Sequence, residues 1–198
     1  MLKDNGANLV YFSPIKDKEL PEDLSGIYFG GGYPELFAQQ LSENRQMCNA
    51  VKEASANGMP IYGECGGFMY LCRNLLGNNL SGENNIKYPM TDCFPFSIKL
   101  LKRLKSLGYR EISLLDDSII GPKGMKGRGH EFHYSEIANP EIAEQNKTIE
   151  KIYSISDRKE NNLFKEGFRV NKTLGSYVHL HFGSLSLLNK KGNNNETP

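Results

Sequence analysis

The sequence has 198 residues, the size of one ordinary domain with a single hydrophobic core. Lysine and arginine number 24 against 23 aspartates and glutamates, and this near-balance argues against a dedicated nucleic-acid-binding protein. No apolar run reaches the roughly 18 residues of a membrane span, and residues 1–10 lack the apolar stretch of a signal peptide, so we expect a cytoplasmic protein.

The first third of the chain alternates short β-rich runs with helical patterns. MLKDNG resembles the last turn of a helix, and Asn57-Gly58 is typical of a helix end. Strands alternating with helices favour parallel βαβ units in an α/β sheet. Strands are predicted at residues 8–12, 26–29 and 59–62, and helices over 34–57 with a break near Asn44 and over 68–76.

Beyond residue 77 the pattern changes to short strand-like runs, which we interpret as antiparallel strands added to the α/β layer. These runs are residues 92–101, 108–115, 128–135, 151–156, 167–170 and 177–180. Residues 78–85 and 121–129 are predicted to be mobile surface loops. The predicted domain covers residues 1–189, and residues 190–198 form a polar tail that we expect to be disordered.

The sequence PIYGECGG at residues 60–67 contains the most specific local pattern. A strand that enters a helix through Gly-x-Cys-Gly-Gly is typical of a nucleophile elbow, a strained turn that presents Cys65 beside a helix N-terminus. The helix dipole should lower the pKa of the Cys65 thiol, and the Gly66 N–H could stabilise an oxyanion. The alternative is a buried structural cysteine, which is the interpretation we give to Cys48, Cys72 and Cys93.

Three glycines at residues 30–32 follow a predicted strand. Their backbone amides could turn toward a ligand, as a phosphate cradle or as the second half of an oxyanion hole. The sequence is not a Walker A loop, because Tyr33-Pro34-Glu35 stands where Gly-Lys-Ser/Thr would be required.

The chain has four histidines that could serve as a base for Cys65: His130, His133, His179 and His181. His179 and His181 alternate along a predicted strand and so share one face. The two pairs could instead form a metal site, but no carboxylate ligand is clearly placed beside them, so we predict none.

Taken together, GGGYPE, GECGGFMYL, RGHEFHYSEI and GSYVHLHF resemble the C-terminal glutaminase domain of cobyrinic acid a,c-diamide synthases. The matching segments run in order from residue 13, where SPIKDKELPEDLSGIYFGGGYPELFAQQLSEN begins, to residue 182. The resemblance implies a class I-like, triad-family glutamine amidotransferase domain with a flavodoxin-like α/β fold. Such a fold has a mostly parallel sheet, helices on both faces and added antiparallel strands.

The resemblance also implies roles for individual residues. Cys65 matches the nucleophile that attacks the side-chain carboxamide of glutamine, and His179 matches its base. Backbone amides of Gly31, Gly32 and Gly66 are the expected oxyanion donors. Many related glutaminases carry a glutamate two residues after the histidine, but this chain has His181 there, so we infer a Cys-His dyad oriented by another group.

The segment RGHEFHYS is characteristic of this branch. We therefore hypothesise that Arg128, His130, Glu131 and His133 face an acidic corrinoid such as cobyrinate, or the synthetase domain. Glutamine hydrolysis that survives in Arg128→Ala and His130→Ala variants, while coupled amidation fails, would support this hypothesis.

In the complete family, an N-terminal P-loop synthetase domain binds ATP and Mg²⁺, and the full enzyme could be a homodimer. We expect no cofactor on the present domain, and no nucleic-acid or membrane partner. The family domain also begins with a strand and a helix that should precede residue 8. We therefore expect the chain alone to be unstable or prone to aggregation unless a separate N-terminal polypeptide pairs with it.

Four functions stay open beside amidation of cobyrinate. Within the same class, the ammonia could serve a nickel sirohydrochlorin or cobyric acid. The chain could be an inactive remnant that only docks on a synthetase. It could also be a stand-alone thiol hydrolase of the DJ-1/PfpI kind, with the same elbow and a different substrate.

Overall fold

The computed structural model describes residues 2–77, 86–157 and 161–185. Its helices are Ala38–Glu43 (α1), Arg45–Ala56 (α2), Gly66–Leu71 (α3) and Pro140–Gln145 (α4), with 3₁₀ turns at Lys3–Asn5, Pro34–Phe37 and Phe182–Ser184. Its strands are Ile27–Phe29 (β1), Ile61–Glu64 (β2), Cys72–Gly77 (β3), Ile86–Pro89 (β4), Phe94–Leu100 (β5), Ser106–Leu114 (β6), Lys126–His133 (β7), Ser135–Ile137 (β8), Glu150–Ser156 (β9), Asn162–Val170 (β10), Thr173–Ser176 (β11) and His179–Leu180 (β12). The predicted loop 78–85 and tail 190–198 lie outside the described residues.

The strands form two sheets, an eight-stranded one in the order β1-β2-β11-β10-β9-β6-β7-β12 and a four-stranded one in the order β4-β3-β5-β8. In the larger sheet β1, β2 and β11 run parallel, and every further pair is antiparallel. The α/β class with added antiparallel strands is therefore confirmed, although the parallel part is smaller than predicted.

Two hydrophobic clusters fill the core. The first holds the buried residues of all four helices, such as Leu41, Val51, Phe68 and Ala143. The second holds strand residues together with Met125, Val178 and Leu185, and it contains no residue of α1–α4. The helices therefore pack in the first cluster, whereas strand and loop side chains make up the second.

The helical region of residues 34–57 breaks where the sequence predicts. Asn44 separates α1 from α2, its side chain accepts from the Met47 N–H at 3.4 Å, and it also donates to the carbonyl oxygens of Pro14 and Asp17. Helix α2 ends at Ala56 with Asn57 as its C-cap, and Gly58 adopts a positive φ of 80°. The predicted break and stop are both confirmed, because each depends on a local capping residue.

Three sequence predictions are wrong in detail. Residues 8–12 form no strand, and no strand of the described chain pairs with them. The helix that starts at Gly66 ends at Leu71, and residues 72–77 become β3, because a short apolar run fits a strand as well as a helix. Residues 126–129, placed in a loop, belong to β7, where they pair with β6.

Strand β1 is an edge strand in this structure. It pairs with β2, and no other described strand pairs with it. A groove of about 420 Å³ lies between this edge and the irregular residues 10–15, and Tyr11 beside it is exposed. Open strand edges with apolar neighbours favour association with other chains. The expected instability of the isolated chain stays a prediction.

Candidate active site

Cys65 lies in the sharp turn between β2 and α3. Its backbone has φ 45° and ψ −100°, the left-handed side of the map that a non-glycine residue rarely adopts. The Cys65 N–H donates to the Ser176 carbonyl oxygen at 2.7 Å, and the Cys65 carbonyl oxygen accepts from the Met69 N–H at 2.9 Å. The predicted strand-elbow-helix geometry is thus present, and neighbouring strands hold its strained backbone.

The glycines of the elbow permit a close approach to the loop of residues 30–32. A Cβ on Gly66 would lie 2.6–2.9 Å from backbone atoms of Gly32, and a Cβ on Gly67 would lie 2.2 Å from the Phe29 carbonyl oxygen. The Gly67 N–H donates to the Gly30 carbonyl oxygen at 3.1 Å. The two predicted halves of the oxyanion hole therefore meet beside Cys65.

His179 contacts the same loop from the other side. A Cβ on Gly31 would lie 2.2 Å from Cε1 and 2.7 Å from Nδ1 of His179, so only glycine allows the imidazole this position. The ring stacks on His130, with 4.8 Å between centroids and 7° between planes. The Cys65 thiol itself contacts the Phe132 carbonyl oxygen at 3.9 Å, and no Cys65–His179 hydrogen bond is found within the described residues.

The pKa of the Cys65 thiol is raised to about 11, mainly by burial. A hydrogen bond from the Gly66 N–H lowers it, while the charges of Glu35, Glu64 and Glu131 raise it further. The prediction of a lowered pKa is therefore wrong, because α3 has six residues and its first N–H is outweighed by burial and three carboxylates. A thiolate at this site requires a cationic partner.

His179 is also held toward its neutral form. Burial lowers the pKa of its imidazole, His130 lowers it further, and the charge of Glu64 opposes both. Both the thiol and the imidazole are consequently favoured as neutral groups.

The segment RGHEFHYS divides between two faces of β7. Arg128 and His130 are exposed, whereas Glu131 and His133 are buried and bonded within the chain. The Glu131 carboxylate accepts from Arg110 Nε and from the Ser106 hydroxyl, both at 2.7 Å. His133 Nδ1 lies 2.9 Å from the Ser135 carbonyl oxygen, and its ring stacks on Tyr177. Only the exposed pair is placed to touch a partner directly.

Three carboxylates near Cys65 were given no role in the sequence analysis. Glu64 precedes Cys65 and accepts three hydrogen bonds while 3% exposed. Glu35 has one buried carboxylate oxygen with no hydrogen-bond partner. Glu166 bonds the Ser176 hydroxyl at 2.6 Å and the Tyr177 N–H at 2.7 Å, next to the carbonyl that holds Cys65. Glu64 could have been identified from its position in GECGG, whereas the placement of Glu35 and Glu166 depends on long-range contacts.

A model of the CobB/CobQ-like glutamine amidotransferase domain matches residues 1–186. The chain belongs to this family. It is 40% identical over 183 residues to the cobyrinate a,c-diamide synthase of Leptospira interrogans, covering 92% of this chain and 38% of that protein. The synthase of Methanosarcina acetivorans is 40% identical over 190 residues, covering 91% of this chain and 36% of that protein. The chain thus spans less than two fifths of these curated relatives.

Solved structures with the same fold share little sequence with this chain. A glutamine amidotransferase is 16% identical with a TM-score of 0.58, covering 90% of this chain and 80% of its own. A glutamine amidotransferase from Thermotoga maritima is also 16% identical, with a TM-score of 0.53, covering 90% of this chain and 66% of its own. These similarities confirm the class I amidotransferase fold.

Neither a metal site nor a membrane-spanning helix is found among the described residues. Within residues 2–77, 86–157 and 161–185, no three side chains of the metal-binding types lie close enough together to hold an ion. None of the helices in that part of the chain has the length and apolar run that a membrane span requires.

Proposed function

We propose that this chain is the ammonia-producing part of a cobyrinate a,c-diamide synthase. The observation that carries the proposal is the arrangement of Cys65, a strained residue whose sulfur receives the Gly66 N–H, with His179 held against Gly31 of the adjoining loop. This arrangement provides a nucleophile, a base and backbone donors around one small space.

Glutamine hydrolysis follows from these groups in two steps. The Cys65 sulfur bonds to the carboxamide carbon of glutamine while its proton passes to His179. The N–H groups of Gly31, Gly32 and Gly66 stabilise the oxyanion. His179 then gives that proton to the leaving nitrogen, the C–N bond breaks, and ammonia leaves a γ-glutamyl thioester.

Water completes the cycle. It attacks the thioester carbon and gives a proton to His179, the C–S bond breaks, and glutamate leaves as the proton returns to sulfur. The raised pKa of the free thiol fits this sequence, because the thiolate is needed only while His179 carries the proton. Such a site limits reaction of Cys65 with other electrophiles.

The ammonia would serve a synthetase part that lies outside this chain. There, ATP with Mg²⁺ would convert a carboxylate to an acyl phosphate, and ammonia would displace phosphate to form the amide. The proposal of cobyrinate as that carboxylate draws on the relatives at 40% identity, of which this chain covers 38% or less.

The exposed face beside His179 fits an acidic corrinoid or the docked synthetase part. A cleft of about 890 Å³ is lined by the basic residues Arg110, Arg128, His130 and His181 and by the two acidic residues Glu111 and Asp157. Arg128 Nε lies 3.5 Å from Glu111 Oε2, and the Arg128 side chain is 79% exposed, so the guanidinium can also contact another carboxylate. Nickel sirohydrochlorin and cobyric acid carry the same kind of group and remain the alternatives.

Covalent trapping by 6-diazo-5-oxo-norleucine, a glutamine-analogue electrophile, tests the glutaminase. We expect labelling of Cys65, protection by glutamine, and loss of both labelling and glutaminase activity in Cys65→Ser. Cys93→Ser is the matched control and should behave as the unmodified chain. Labelling that glutamine does not slow would support a thiol hydrolase, and no labelling would support an inactive docking module.

The exposed face is tested with the synthetase polypeptide present. Arg128→Ala should retain glutamine hydrolysis and lose coupled amidation of the corrinoid. The matched control is Lys126→Ala, since Lys126 is also exposed and also contacts Glu111. His130→Ala is the less specific variant, because His130 stacks on His179. Loss of glutamine hydrolysis in Arg128→Ala would contradict the assignment of this face.

A further inference from the structure

We propose that Glu64 is a positioning residue for His179. Its carboxylate replaces the glutamate that many related glutaminases carry two residues after the histidine, where this chain has the exposed His181. The inference rests on the proposed glutaminase function and deepens it. It explains how a Cys-His dyad without a carboxylate two residues after the histidine can keep its imidazole in place.

Glu64 joins the two elements that carry the dyad. It is the last residue of β2, directly before Cys65, and its Oε1 accepts from the Leu180 N–H at 2.9 Å. Leu180 directly follows His179 in the two-residue strand β12. One side chain therefore bonds the strand of the base to the strand of the nucleophile, across 116 residues of sequence.

Two tyrosines fix the position of the carboxylate. The Tyr28 hydroxyl donates to Glu64 Oε2 at 2.7 Å, and the Tyr62 hydroxyl donates to Oε1 at 2.9 Å. An ionised carboxylate only accepts hydrogen bonds, so it matches three donors, whereas a neutral amide has a single accepting oxygen. The group is 3% exposed, so water does not screen its charge effectively.

The charge of Glu64 also acts on the imidazole. Burial and His130 lower the pKa of His179, and Glu64 raises it. Glu64 also raises the pKa of the Cys65 thiol, together with Glu35 and Glu131. Glu64 thus favours the imidazolium during the interval in which His179 carries the proton from Cys65 to the leaving ammonia. This is the role of an orienting carboxylate in a triad, reached here through the neighbouring backbone.

The test compares Glu64→Gln with Glu166→Gln, a second buried carboxylate that bonds Ser176 and Tyr177 instead of Leu180. The measurements are kcat and KM for glutamine and the NMR titration of ¹³C-labelled histidine, with His179 assigned through His179→Gln. We expect Glu64→Gln to lower kcat by about 10- to 100-fold with KM changed by less than about 3-fold. The His179 titration should move to lower pH in Glu64→Gln and stay in place in Glu166→Gln.

Equal losses in both variants with an unmoved His179 titration would overturn the proposal, as would an unchanged Glu64→Gln enzyme. If Glu64→Gln does not fold, Tyr28→Phe decides, because Tyr28 is 44% exposed and the change removes one hydroxyl. Loss of the Tyr28 hydroxyl removes one hydrogen bond from the Glu64 carboxylate and so leaves more charge on it. The pKa of His179 should then rise and its titration should move to higher pH; an unmoved titration overturns the proposal. If the unmodified chain hydrolyses no glutamine, the proposed function fails, while the titration still decides the role of Glu64.

Discussion

The nucleophile and the base of this site are held in different ways. Cys65 lies in a local strand-turn-helix unit, with its backbone bonded to Ser176 and Met69. His179 lies in a strand of two residues, paired with β7 and packed between Gly31 and His130. The turn at Cys65 is encoded in one short segment and is held by one bond to a distant strand, whereas the position of His179 depends on contacts between distant segments throughout. We expect substitutions around His179 to change catalysis more readily than they change the fold.

Gly31→Ala should have the largest effect on catalysis. Its Cβ would overlap the His179 ring, so the imidazole must move, and a displacement near 1 Å costs about 100-fold in kcat. Gly32→Ala is the matched control, because nothing lies within 4 Å of its Cβ and its N–H is kept. Steady-state glutaminase kinetics with circular dichroism check both. Equal activity of the two variants would contradict the placement of His179.

Glu166→Gln should change how folding stability depends on pH. Burial raises the pKa of Glu166 from 4.5 to about 7, so the folded chain binds a proton that the unfolded chain releases between these values. The stabilisation that this proton gives the folded chain is complete below about pH 4.5. It is lost as pH rises to about 7, which lowers the free energy of unfolding by up to about 3 kcal/mol. Glu166→Gln should not show this loss of stability with rising pH. Urea unfolding at pH 5 and pH 7 measures it, and parallel changes in both proteins would refute the assignment.

His130→Ala should act on His179, the proposed base, and should lower kcat less than Gly31→Ala does. The change removes the stacked ring and one cause of the lowered pKa of His179. We expect kcat to fall by about 3- to 10-fold, the value of one aromatic pair, and the His179 titration to move to higher pH. Labelling of Cys65 by a small alkylating agent should persist. A titration that moves to lower pH would mean that His130 does not act as described.

Glu35→Gln should have the smallest effect and should act on the nucleophile side. The charge of Glu35 raises the pKa of Cys65, so its removal favours the thiolate. We expect alkylation of Cys65 at pH 8 to become about 2- to 3-fold faster. Glu43→Gln, an exposed control on α1, should leave the rate unchanged. A slower reaction in Glu35→Gln would contradict the stated cause of the raised pKa.

The sequence predicts the nucleophile side well, because GECGG encodes its own strained turn and Asn44 and Gly58 encode their own helix ends. It predicts the pKa of Cys65 wrongly, since burial and distant carboxylates are properties of the folded chain. It places residues 72–76 in a helix, although their pairing with β4 and β5 makes them a strand. The bond between Glu64 and Leu180 likewise depends on tertiary structure alone.

In the proposed reaction, Cys65 forms a γ-glutamyl thioester with His179 as its proton carrier. Mixing the chain with isotopically labelled glutamine, quenching in acid and measuring the intact and peptide masses tests it directly. We expect the γ-glutamyl adduct on the peptide that contains Cys65, and we expect none in Cys65→Ser. Glutamine hydrolysis that persists in Cys65→Ser, or an adduct on another cysteine, would contradict the account.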